Sequence, residues 1–208
     1  MQRKLFKKLS HGIENLYSAR LMLFLLLSAI VFFWLFNLSH VPFSNPSLIK
    51  ISGGEGLLDV RPFYSAQEAF FILGRYGAQG RELYLKFIAA DFIFIPVYSL
   101  GFSLLFTRIV RARFGENDTW LWLNLLPFGI GLFDCIENLC ILGMLLMYPG
   151  TNLALGTLSG LATLCKTVLT LVSLLCLGYH GMRLLIHRFN FLHRKSNQPS
   201  STKARCGQ

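Results

Sequence analysis

Four stretches of this chain stay apolar for longer than one buried face of a soluble helix requires: residues 21–37, 85–110, 120–148 and 153–185. At about 1.5 Å of rise per residue, each is long enough to cross the roughly 30 Å hydrocarbon core of a bilayer. The pattern therefore predicts an all-α fold, a four-helix transmembrane bundle occupying residues 21–189.

The segments between the spans differ in kind. Residues 1–20 carry Arg3, Lys4, Lys7, Lys8 and Arg20, while Leu5, Phe6, Leu9, Ile13, Leu16 and Tyr17 recur near helical spacing, which predicts an amphipathic helix on the membrane surface. The first span follows a basic segment, as the core of a signal peptide does. It stays bulky and aromatic to its end, and no small-residue cleavage pattern follows, so it is read as a retained anchor.

Residues 38–84 form an outer loop, irregular around Pro42, Pro46, Gly53, Gly54 and Gly56. Ser65 with Glu68 three residues later matches a capping box and predicts a short helix over 65–73, broken by Gly74 and Gly77. A second helix is expected to start near Gln79 and run on into the membrane. The apolar face of the short helix makes the loop a lid on the bundle. Residues 190–208 read as a disordered polar tail.

Composition agrees with this picture and adds an orientation. Hydrophobic residues make up 53% of the 208, too many for a soluble domain. The net charge of +10 lies mostly beside the spans: in the N-terminal segment, at Arg108, Arg111 and Arg113, and in the tail from Arg183. The outer loop nearly balances Lys50, Arg61, Arg75 and Arg81 against Glu55, Asp59, Glu68 and Glu82. Basic segments alternate with neutral ones, so both termini are expected to be cytoplasmic, in the cell (inner) membrane, with the bases meeting anionic headgroups. No basic face or aromatic platform is assembled for nucleic acid. The five cysteines include no C-x-x-C pair, so they read as small buried hydrophobes and not as a disulfide framework or zinc site.

The candidate chemistry lies inside the spans. Asp91, Asp134, Glu137 and Lys166 interrupt apolar runs where an ionised group is costly and is kept mainly where it faces the bundle interior or a watery cavity. Counted inward from the outer end of each span, Asp91 lies at roughly 9 Å, Glu137 at roughly 16 Å, and Asp134 and Lys166 both at roughly 20 Å. Asp134 and Glu137 share a helix face at i, i+3, and Asn138 extends it. Pro96 and Pro127 each free a carbonyl and mark candidate kinks.

One lysine against three carboxylates leaves two surplus negative charges, more than a register-fixing ion pair would need. The reading is a polar pocket, open to the outer face, made by Asp91, Asp134, Glu137, Asn138 and Lys166, with Arg81 and Tyr84 at its mouth. It would bind a small polar or amphipathic, lipid-like molecule. No cofactor is expected. A metal at Asp134-x-x-Glu137 is opposed by Lys166 at the same depth. Gly156 and Gly160 form a G-x-x-x-G expected to seat close helix packing, within the bundle or in a homodimer. His180 and His187 read as an interfacial basic end.

Three other readings use the same residues. A proton- or cation-coupled transporter would need a homodimer, since four spans are few for one chain. A scaffold would use the charges as structural glue. An intramembrane enzyme would take a carboxyl as general base and Lys166 as electrostatic stabiliser, but it lacks an evident nucleophile or metal set.

The series Gly80-Arg81-x-x-Tyr84, Asp91, Pro96, Tyr98, Pro127, Asp134-x-x-Glu137-Asn138 and Lys166 resembles a set of uncharacterised, mainly bacterial four-span membrane proteins. The resemblance runs from the loop helix to the fourth span, with Ile95 where such sequences often have Phe before the proline. It implies a shared scaffold and no particular activity.

Overall fold

The computed structural model describes residues 2–116 and 118–196, with side chains over 4–116 and 119–186, and every element in it is helical. Four units are long and apolar enough to span a membrane: α2 (Ala19–Asn37), α5 (Gly77–Phe114), the segment Thr119–Met147 containing α6 (Leu126–Met147), and α7 (Leu153–Ser196). Large apolar side chains face outward along them, among them Phe24 at 66%, Leu146 at 70% and Leu175 at 73% exposed. Such a surface is unfavourable in water and matches hydrocarbon. The chain is an all-α, multi-pass integral membrane protein.

α5 is the centre of the bundle, packed against α2, α6 and α7, while α6 and α7 pair as antiparallel neighbours. α2 and α7 have no substantial contact with each other. One end of the bundle, the loop end, carries the connection between α2 and α5. The opposite, basic end carries Arg108, Arg111, Arg113 and Arg183.

At the basic end, α1 (Gln2–Asn15) is shorter than the expected 1–20 because the chain turns extended at Ser18 before α2. Arg111 binds Glu14, Arg108 donates to the Tyr17 hydroxyl at 2.8 Å, and Asn124 donates to the Ser10 carbonyl at 3.1 Å. Ile13 is buried, yet Leu5, Phe6, Leu9 and Leu16 stay exposed, so α1 is tied to the bundle and keeps an apolar stripe for the interface.

The loop end departs most from expectation. Where irregular backbone was expected, α3 (Asn45–Ser52) forms, followed by a 3-10 turn at Leu58–Val60. Pro46 starts α3 instead of breaking structure, since its fixed φ and missing N–H suit a first helical turn, and Gly53 ends it at φ +73°. α4 (Ala66–Arg75) forms as the capping box predicts, with Ser65 Oγ accepting from the Glu68 N–H at 3.2 Å. Gly74 lies inside α4 and does not break it, whereas Gly77, at φ +62°, turns the chain into α5, which runs on into the membrane as expected from a start near Gln79.

The connection is a packed lid. Leu48, Leu57, Leu58, Tyr64, Ile72 and Leu73 join Phe36, Tyr84, Phe87 and Ile88 in the largest apolar core of the protein. Gly156 and Gly160 seat the lid on α7: Gly156 meets the start of α4, a close helix approach within the protein, and Gly160 meets the residue pair before it. A Cβ on Gly156 would stand 2.8 Å from Ala66 Cα, and one on Gly160 would strike the Tyr64 carbonyl oxygen.

Two proline expectations resolve differently. Pro96 lies within a continuous α5. Pro127 produces no kink: Asp118–Leu125 is 3-10 helix, and Pro127 stands in the first turn of α6, where its missing N–H costs nothing. α7 runs to Ser196, past the expected tail boundary at 190, and the rest of that tail, 197–208, lies outside the described residues.

Candidate functional site

Helix pitch puts Asp134, Glu137 and Asn138 on one face of α6, against the face of α7 that carries Ser159, Thr163 and Lys166. The Lys166 ammonium lies 3.0 Å from Asp134 Oδ1 and 2.6 Å from Glu137 Oε2. It also binds Asp59, which the 3-10 turn of the lid lowers onto it. Three carboxylates from two elements thus surround one ammonium contributed by a third.

Neutral donors complete the shell. Thr163 Oγ1 donates to Glu137 Oε1 at 2.6 Å, and the Tyr64 hydroxyl reaches the same oxygen at 3.2 Å. Tyr98 donates to Asp134 Oδ2 at 2.8 Å, and Asn138 Nδ2 donates to Asp91 Oδ2 at 2.6 Å. Burial, with the Glu137 carboxylate beside it, holds the Tyr64 hydroxyl well above the usual phenol range, so it stays a donor. With Asp59 included, the site has four carboxyl groups and one ammonium.

The cluster borders a cavity of about 500 Å³. Asp59, Asp91, Asp134 and Lys166 line its loop end, Phe33, Phe87, Phe94 and Tyr98 form an aromatic belt, and Phe102, Phe106, Leu171, Leu174 and Leu177 line the remainder toward the basic end. From Asp91 to Phe106 along α5 is roughly 22 Å at the helical rise. Charged groups are concentrated at one end of a long, mostly apolar channel.

Of the residues singled out in the sequence, Asp134, Glu137 and Lys166 meet directly, and Asn138 joins Asp91 to the group. Arg81 and Tyr84 are not at a mouth. Arg81 leaves α5 on another side, ten residues or about 2.8 turns before Asp91. It donates to the Leu73 carbonyl at 3.1 Å and stacks 3.8 Å above the Tyr148 ring. Tyr84 is fully buried beneath the lid, its hydroxyl accepting from the Leu58 N–H at 3.1 Å. Both brace the connection. At the loop end, Leu57, Asp59 and Val60 contribute to the cavity lining.

Asp59 escaped the sequence reading because a charge in an aperiodic segment carries no depth or face. Thr163 was findable, three residues before Lys166 on one helix face. Tyr98, seven residues after Asp91, was equally so. At the basic end, His180 is buried against Phe114, Trp120 and Tyr179 and contacts Arg113, away from the cluster. The side chain of His187 lies outside those described.

Asp59, Asp134 and Glu137 have the mutual spacing to hold a metal ion. The Lys166 ammonium binds all three, so a metal and the lysine would compete for the same oxygens. Compared with protein-family models, with curated proteins and with solved structures, the chain matches none.

Proposed function

We propose that the protein binds one amphipathic, lipid-like molecule, its polar group among Asp59, Asp91, Asp134 and Lys166 and its apolar part along Phe102, Phe106, Leu174 and Leu177. The observation that carries this reading is the asymmetry of the cavity, with its charged groups at one end and a wall of apolar side chains and a few neutral hydroxyls over the rest. Its volume falls within the roughly 300–1,000 Å³ common for small-molecule sites. The lack of substantial contact between α2 and α7, with Phe33 on one side and Leu171 and Leu174 on the other, supports entry from the bilayer.

Charge placement supports an orientation with both termini cytoplasmic and the lid outside, since the basic end would then face the side where arginine and lysine accumulate. The bilayer itself, through anionic headgroups at α1 and the basic end, is the expected environment.

Extraction and mass spectrometry of the purified, delipidated protein test the reading. Wild type should retain a bound amphiphile near one per chain, and Leu174→Trp, which fills the channel, should lose it while remaining folded. Equal retention by both variants, or none in wild type together with no thermal stabilisation by added single-chain amphiphiles, would overturn it.

A further inference from the structure

Resting on that reading, we infer that the polar group of the bound molecule is a cation, an aliphatic ammonium that pairs with Asp91 inside a wall of aromatic rings. Lys166 is committed to Asp59, Asp134 and Glu137. Asp91 is 2% exposed, lines the cavity, and receives its described hydrogen bond from the neutral amide of Asn138. No described cation of the protein bonds to it. A buried carboxylate without a cation is costly, and a ligand ammonium removes that cost.

The surroundings of Asp91 suit a cation for a second reason. Phe87, Phe94 and Tyr98 lie four residues before, three after and seven after Asp91, which stacks them along its face of α5, and all three line the cavity. Phe36 and Phe94 meet edge-on at 5.6 Å, as do Phe94 and Tyr98 at 5.0 Å. Aromatic faces carry negative charge density and attract ammonium groups, most strongly where water is excluded. An anionic head would instead meet three carboxyl groups, Asp59, Asp91 and Asp134, and a lysine already occupied.

An independent observation points to a ligand farther along the channel. Ser173, seven residues and roughly 10 Å beyond Lys166 on α7, lines the cavity at 5% exposure, and its Oγ has no hydrogen-bond partner among the described residues. A buried hydroxyl left without a partner is uncommon and fits a carbonyl or hydroxyl carried by the bound molecule. The class that fits the whole channel is a single-chain amine or quaternary ammonium amphiphile with a polar linkage.

The test is equilibrium binding of radiolabelled hexadecyltrimethylammonium to the full chain in maltoside micelles, with hexadecanol and hexadecyl phosphate as probes of equal chain length. The ammonium probe should bind roughly tenfold or more tightly than either, and Asp91→Asn should remove that advantage. Phe94→Leu keeps every charge, covers the case in which Asp91→Asn does not fold, and should weaken the ammonium probe roughly three- to tenfold. Hexadecanol or hexadecyl phosphate binding as tightly as the ammonium, or an unchanged advantage in both variants, would overturn the cation and leave the amphiphile site standing. Absence of saturable binding by all three probes would overturn both.

Discussion

Lys166 in α7 and Asp59 in the lid are bonded across 107 positions of sequence, so the ammonium that neutralises the bundle interior also fastens the segment covering it. Lid and cluster are one unit, and disturbing either should be felt in the other.

Loss of the ammonium is the severest single change. Lys166→Met leaves Asp59, Asp134 and Glu137 without their shared cation and should cost about 3–5 kcal/mol, the range for breaking a buried pair from one side. Adding Glu137→Gln should return part of the loss. Thermal denaturation in detergent measures both, and a Lys166→Met protein as stable as wild type would show that the cluster is not ionised as drawn.

Removing the lid's own charge should be milder and local. Asp59→Asn keeps the shape of the turn and weakens its bond to Lys166. Hydrogen exchange over residues 57–64 should therefore quicken while the centres of α5, α6 and α7 remain protected. Unchanged exchange there would mean that Leu57, Leu58 and Tyr64 hold the lid without the ion pair.

The glycines of α7 separate seat from surface. Gly160→Ala drives a methyl into the Tyr64 carbonyl and should destabilise by about 1–3 kcal/mol. Gly178→Ala meets nothing within 4 Å and should be neutral or slightly stabilising. Melting curves of the two variants in the same detergent make the comparison.

Acid should release α1. The hydrogen bond from Arg111 holds the Glu14 carboxyl below its ordinary value of 4.5, outweighing the opposing effect of partial burial. Because the folded value is the lower one, the contribution of this pair is complete above pH 4.5 and fades as pH falls through the folded value. Fluorescence of Trp120 and Trp122, in the 3-10 segment that α1 packs against, should report a transition in that acid range. Glu14→Gln should lack it.

The spans and the level of the charges were legible because the rise of a helix is constant. Counting from one end placed Asp134 opposite Lys166, and the i, i+3 rule added Glu137. What stayed hidden depends on chain folding between helices. Asp59 sits in a turn without period, so neither its depth nor its direction could be counted. Pro46 and Pro127 were read as interruptions, although a proline in a helix's first turn is a start, and telling the two apart requires knowing where the helix begins. Gly156 and Gly160 announced a close approach correctly in kind, but small residues do not name their partner, which proved to be residues 64–66 of the lid.

Photolabelling locates the chain of a polar-headed molecule within the channel. A hexadecyl ammonium probe with a diazirine near the chain terminus is irradiated on the purified protein and the labelled residues are mapped. Labels should concentrate on Phe102, Phe106, Leu174 and Leu177 and be suppressed by excess unlabelled probe. Labels spread over outward-facing positions such as Leu146 and Leu175, insensitive to competitor, would contradict it.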